Sequence, residues 1–311
     1  MLESTTSERV NAITFLPDEY RKEICPPPRS VKIELTGRCN LRCKFCAHEQ
    51  RKRNVADMDQ ELFSRLALEM RELGVQELGL FYLGESMLVP WLPDAVACAR
   101  SLGYENIFLT TNGTACTPEM LYAVMAAGLT SLKFSCNYAN VDQFVKIAQV
   151  KSTLFDKIEE SIQAAWHIRE AFKFPCYLAA SFITYNAKQI KRMRPMVARI
   201  SPFVDEFYRL PLYNQAAQVE EAGWDFVKGN AGTVTALRDP VPCWSIFTEG
   251  HVTFDGKLAA CCFDHNHTFE MADLTQVTFM DGWNSEKFQV LRRAHLSGDV
   301  SGTICGPCIN G

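Results

Sequence analysis

The chain has 311 residues, 47% apolar and 22% charged, enough to bury the core of one large domain or of a large and a small one. Lys and Arg total 32 against 36 Asp and Glu, and the formal charge of −4 argues against a protein that lives on a nucleic-acid backbone. No run approaches the ~18–20 apolar residues of a membrane span. The start, MLESTTSERV, has neither the basic nor the apolar region of a secretory signal, so a soluble, cytoplasmic protein is expected.

After an N-terminal extension (1–29), short strand-like runs alternate with helix-like segments from about 30 to 210. VKIEL (31–35) reads as a strand, and Met58 to Leu73 as a helix in which Leu62, Leu66, Leu68, Met70 and Leu73 form much of an apolar stripe. Then come LGLFYL (78–83), a helix near 91–102, NIFLT (106–110), and a helix near 117–127 that starts on Thr117-Pro118. LKFS (132–135), a helix near 152–171, CYLAASFI (176–183), a helix near 187–199 and VDEFYRL (204–210) complete six β/α units. Such alternation predicts a parallel sheet with right-handed crossovers, either open and doubly wound or closed into a partial barrel. Residues 211–240 mix Gly, Pro and polar residues and read as a linker or substrate loop. The tail, 241–311, holds β-like pieces (SIFTE, HVTFDGKLAA) and a helix from Glu286 to Leu296.

Thirteen cysteines without an export signal argue against a disulfide framework. They are bunched: Cys39, Cys43 and Cys46 directly follow the first strand, and Cys243, Cys261, Cys262, Cys305 and Cys308 fall in the last quarter. Soft thiolates suit iron–sulfur clusters or zinc. Three ligands where four are usual leave one metal position open to a substrate. The competing readings of the triad are a structural zinc site or buried thiols.

The run CNLRCKFC resembles the signature of the radical S-adenosylmethionine (radical SAM) superfamily, C-x3-C-x-aromatic-C, with Phe45 at the aromatic position. The resemblance covers about residues 30–210. It implies a partial (β/α)6 barrel, a [4Fe–4S] cluster on Cys39, Cys43 and Cys46, and SAM on the fourth iron. Leu83-Gly84-Glu85 resembles the family's Gly-Gly-Glu turn for the SAM amino group, with the first glycine replaced. Thr110-Thr111-Asn112-Gly113 resembles its strand-end TNG. By the same resemblance Ser135 and Asn137 on the fourth strand, and Ser181 on the fifth, are candidate SAM contacts.

Cys243-x12-Gly256-x4-Cys261 followed by Cys305-x2-Cys308 resembles a shortened SPASM extension, the twitch domain. That implies one auxiliary [4Fe–4S] cluster on those four cysteines; a structural zinc site is the alternative. Arg292 and Arg293 are expected on a solvated or linking face. Cys262 adjoins a cluster ligand, and neighbouring strand side chains point to opposite faces. It is therefore either a small buried residue or a thiol facing the barrel that gives a hydrogen atom to a substrate radical.

The resemblance implies reductive cleavage of SAM to a 5′-deoxyadenosyl radical, with an electron donor such as flavodoxin or ferredoxin, and hydrogen abstraction from a C–H bond. Dehydrogenation with the auxiliary cluster as electron acceptor is the expected outcome. Epimerisation through Cys262 and radical decarboxylation are the alternatives. The short tail, and the lack of a peptide-recognition domain ahead of the barrel, point to a small, sugar- or aminocyclitol-like substrate. Arg209, Tyr213 and Asn214 are its candidate contacts, with no nucleic-acid or membrane partner. A non-catalytic metal-binding or electron-transfer module is the reading from another class.

Overall fold

Successive residues of a strand face opposite sides of a sheet, so the sequence of each strand divides into an inner and an outer row. In the computed structural model, which describes residues 4–310 without the Glu49 side chain, six parallel strands lie side by side in chain order. They are β1 (Ser30–Ile33), β2 (Glu77–Gly79), β3 (Asn106–Thr111), β4 (Ser131–Ser135), β5 (Tyr177–Thr184) and β6 (Glu206–Tyr213). The outer row is aliphatic and dry: Val31, Ile33, Ile107, Leu132, Phe134 and Leu178 are all fully buried. Against it pack the crossover helices α2 (Gln60–Glu72), α3 (Leu92–Ser101), α4 (Pro118–Ala126), α5 (Val141–Ala148), α6 (Phe155–Phe172) and α7 (Ala187–Ile200), which follow the N-terminal helix α1 (Thr6–Thr14). Side chains set their starts. Asp59, Thr117, Asn140 and Asn186 each accept a first-turn N–H of the helix that follows.

The tail extends the same sheet. β7 (Phe226–Val227) joins the far edge beside β6, and a hairpin of β8 (Gly232–Thr233) and β9 (Ala236–Leu237) follows. After the one-turn helix α8 (Ser245–Thr248), β10 (Glu249–Val252) pairs in parallel with β1, Ser30 opposite Glu249. The antiparallel strands β11 (Lys257–Ala259) and β12 (Glu270–Asp273) then extend the near edge, giving ten strands in all. Helices α9 (Phe279–Trp283), α10 (Glu286–Ser297) and α11 (Gly306–Asn310) close the chain.

Several elements differ from the sequence reading. The strand expected over 78–83 ends at Gly79. Leu80 N–H still reaches the Phe108 carbonyl (2.9 Å), but the chain then turns so that Glu85 N–H donates to the Arg38 carbonyl (2.8 Å). Helix α1 falls in the segment read only as an extension, although it opens on a reciprocal Thr5/Glu8 capping box. Helix α5 was not expected either; its eight residues are too few for a clear period. SIFTE does not begin as a strand, because its first four residues form α8 and only Glu249 enters β10. The 211–240 segment carries the end of β6 and three short strands. Arg292 is not solvated: it is fully buried, donates to the carbonyls of Ile246 and Glu23 (both 2.9 Å), and lies 4.5 Å from the Trp283 ring centre. Arg293 is exposed and paired with Glu23.

Candidate active site

The first cysteine loop leaves the C-terminal end of β1, where parallel α/β folds place their sites. Its backbone docks on α5, with Arg42 N–H bonded to the Ala148 carbonyl (3.0 Å) and Lys44 N–H to that of Ile147 (2.9 Å). Across the barrel mouth the turn after β3 holds it by side chains. Asn112 Nδ2 donates to Asn40 Oδ1 (2.9 Å), and Asn40 Nδ2 donates to Thr114 Oγ1 (2.8 Å). Gly84 presses on the root of the loop: a Cβ there would lie 2.1 Å from the Thr36 carbonyl oxygen. The Glu85 carboxylate accepts from Thr111 Oγ1 (2.9 Å), Asn112 N (2.8 Å) and Met87 N (3.1 Å). Buried and so engaged, Glu85 organises the Asn112 turn within the protein.

The Cys43 thiol lies 3.0 Å from the Tyr138 hydroxyl, and Phe45 packs on Tyr138 and Tyr185, with ring centres 6.4 and 5.9 Å apart. Burial pushes the Cys39 thiol up to about 12 and holds Cys43 well above the ordinary thiol range, and a metal binds such groups with loss of their protons. Three soft donors on a loop braced from three sides fit a cluster held by three cysteines. Ser135 lies in the inner row of β4 above Lys133. The buried Ser181 hydroxyl sits against the Tyr208 phenol without a well-formed hydrogen bond. Asn137 is spent on the fold, its Oδ1 accepting Ile183 N–H (3.1 Å).

Beneath this mouth the inner rows line a cavity of about 200 Å³. Helix α1 closes the end where the strands begin, with Arg9, Val10 and Ile13 in its wall. Thr110 and Lys133 line it, two residues ahead of Asn112 and Ser135 on the same chain segments. Of the expected substrate contacts only Tyr213 lines it. Arg209 alternates with Tyr208 and Leu210, which do line it, and so takes the other side of β6. Asn214 instead meets the second cysteine group, its Nδ2 donating to the Cys308 carbonyl (3.3 Å).

Cys243, Cys261, Cys305 and Cys308 line a single small cavity together with Ile246 and Phe269. Among the described residues no three His, Cys, Asp or Glu side chains form a group suited to one metal ion. The four thiols line one small volume, a soft donor set that fits an iron–sulfur cluster. Cys262 turns the other way and lines the barrel cavity. The pair lies beyond the end of β11, so it is a bend and not strand alternation that separates the two thiols. Asn230 Nδ2 donates to Cys262 Sγ (3.3 Å), and both Asn230 and Phe263 face both cavities.

The sequence reading missed the charged wall. Lys32 Nζ lies 2.8 Å from Glu249 Oε2, and Glu249 also meets His251 Nε2 (3.0 Å). Lys133 and Asn230 line the cavity too. One signal was available: a lysine inside each of two otherwise apolar strands, VKI and LKF, marks an inner face that is not simple core.

Residues 33–173 match the radical SAM superfamily and residues 243–309 the SPASM iron–sulfur cluster-binding domain, together about two thirds of the chain. A PqqA peptide cyclase of Xanthomonas axonopodis pv. citri (strain 306) is 32% identical over 201 residues, 62% of this chain and 52% of that protein. A probable GTP 3′,8-cyclase of Saccharolobus solfataricus is 30% identical over 139 residues, 45% of this chain and 44% of that protein. The chain spans about half the length of these curated relatives. Among solved structures, BtrN in complex with AdoMet and 2-DOIA superposes with TM-score 0.58 at 16% identity, covering 89% of this chain and 91% of that one. Streptococcus suis SuiB bound to precursor peptide SuiA superposes with TM-score 0.67 at 11% identity, covering 86% and 67%. At such identities the superpositions speak for the fold alone. No helix among the described residues is long and apolar enough to cross a membrane. With the cysteine loop at the mouth of a partial barrel and a second cysteine cavity beside it, these matches make the chain a member of the radical SAM superfamily with a C-terminal SPASM-type iron–sulfur domain.

Proposed function

We propose that the protein is a radical SAM epimerase acting on a small, sugar- or aminocyclitol-like molecule. In this reading Cys39, Cys43 and Cys46 hold the SAM-binding [4Fe–4S] cluster, and Cys243, Cys261, Cys305 and Cys308 hold one auxiliary [4Fe–4S] cluster. The observation that carries the reading is the Cys262 thiol in the wall of the barrel cavity. When bound, the first cluster and SAM supply a 5′-deoxyadenosyl radical that takes one hydrogen atom from a substrate C–H. The Cys262 S–H breaks as its hydrogen atom forms a new C–H bond on the opposite face of that carbon. The sulfur then regains one electron from a donor of the flavodoxin or ferredoxin class and one proton from solvent. Asn230 orients the sulfur through its 3.3 Å hydrogen bond. The cavity, about 200 Å³, is small beside the ~300–1,000 Å³ of drug-sized pockets, which supports a small substrate over a peptide.

Screening amino sugars, acidic sugars and aminocyclitols with SAM and dithionite in heavy water tests this. The expected product is an isomer carrying one solvent deuterium at the inverted carbon, with one 5′-deoxyadenosine formed per turnover. A ketone without deuterium would instead establish the second reading, two-electron oxidation. That reading is favoured by the contact of the two cavities through Asn230 and Phe263, which would let the auxiliary cluster accept an electron.

The auxiliary site has its own test. Anaerobic reconstitution is expected to load about eight irons per chain, and Cys308→Ala about four. The variant should retain SAM cleavage, because Cys308 belongs to the cavity separate from the first loop. An unchanged iron count would remove Cys308 from the ligand set.

A further inference from the structure

The barrel cavity carries an unbalanced charge. Three cations, Arg9, Lys32 and Lys133, line it with only two carboxylates, Glu77 and Glu249. Both carboxylates are already engaged. Glu249 pairs with Lys32 (2.8 Å) and meets His251 (3.0 Å), while Glu77 accepts from Asn106 Nδ2 (2.9 Å) and attracts Arg9 electrostatically. Lys133 is left over: among the described residues its ammonium has no hydrogen bond, no ion pair and no carboxylate near enough to raise its basicity. Burial and the charge of Lys32 instead lower Lys133 to about 8. Lys133 is half-buried in a largely apolar wall, where a cation without a counter-charge is costly, and a protein normally pairs it or removes it.

We propose that Lys133 binds an anionic group of the substrate, a carboxylate or a phosphate, inside the barrel cavity. The proposal rests on the reading that this cavity receives the substrate. An arriving anion balances the excess positive charge, and its partner is prepared in advance on a rigid central strand, β4. Cys262 lines the same cavity, so an anion held on Lys133 orients the rest of a small molecule relative to the thiol. Aromatic rings of Phe81, Phe108 and Trp244 in the wall suit the C–H faces of a sugar-like ring. Lys32, already neutralised by Glu249, is the less available partner.

Binding tests this apart from turnover. Reconstituted holoenzyme without reductant is titrated calorimetrically with acetate, with inorganic phosphate and, as a neutral control, with glycerol. Expected is saturable millimolar binding of one anion and none of glycerol. Lys133→Met and Lys133→Gln should each weaken that binding about tenfold or more, a loss of ~1.4 kcal/mol. Lys133→Arg, which keeps the charge, and Lys151→Met, at an exposed site, should retain it. A preference for acetate assigns the group as a carboxylate, and a preference for phosphate as a phosphoryl group. Absence of binding by either anion, or equal binding by the two neutral variants, overturns the proposal. Since no radical is generated, lost anion binding and a missing epimer are separate failures, the first of this proposal and the second of the epimerase reading.

Discussion

Cys262→Ala is expected to uncouple the enzyme: SAM is still cleaved and 5′-deoxyadenosine still accumulates, but the isomer carrying solvent hydrogen falls at least ~10²-fold, as for other groups that act on the reacting atom. The triad cysteines belong to a different loop, braced by Asn40, Asn112 and α5, and nothing in that bracing passes through residue 262. Cys262→Ser is the sharper variant. It keeps the size and the Asn230 contact, but an alcohol O–H is far too strong to give up a hydrogen atom, so the same product loss is expected. Unchanged iron content and thermal stability in both variants would separate loss of hydrogen donation from a packing defect. Full product formation by Cys262→Ser would eliminate the thiol from the chemistry.

Gly84→Ala should cost the first cysteine loop its position. The backbone of Gly84 has no positive φ, so an alanine is conformationally acceptable there and the requirement is purely one of contact. A Cβ would come within 2.1 Å of the Thr36 carbonyl oxygen and 2.7 Å of that of Arg38. Both are backbone atoms at the root of the loop, and the Glu85–Arg38 hydrogen bond next to them leaves no easy direction of escape. Overpacking of this kind typically costs about 1–3 kcal/mol. Because the strain falls on one loop, reconstituted iron is expected to drop from about eight to about four per chain, with the auxiliary site still loaded. Gly302→Ala is the matched control: nothing lies within 4 Å of its Cβ position, and its stability should change by less than about 0.5 kcal/mol. Wild-type iron loading by Gly84→Ala, measured with its melting temperature, would refute the argument.

The alternation of β and α segments, the C-x3-C-x2-C loop and the four-cysteine tail were legible because each is a short-range pattern. Helical periodicity, cap residues and ligand spacing are written within a few residues of one another. Glu85 shows where such reading stops. Its position beside the first cysteine loop was visible, but its saturation by Thr111, Asn112 and Met87 exists only once the β3 turn folds over it. Arg209 fell in the right segment but faces away from the cavity, since the phase of β6 is set by its pairing with β5, and Asn214, just past the strand, turns to the Cys308 carbonyl instead.

By itself, then, the sequence determined the family, the partial barrel and the two groups of cysteines that could carry iron. The tertiary structure decided what faces what. Strand β10 inserts beside β1, more than two hundred residues away along the chain, and so brings Glu249 to Lys32. The bend after β11 sends Cys261 into one cavity and Cys262 into the other. Helix α1 lines the barrel floor, and Lys133 is left facing the cavity without a counter-charge. Spacing along a chain can specify a set of ligands. The direction of a side chain depends on register and on which distant strand becomes a neighbour, and those are settled only when the sheet assembles.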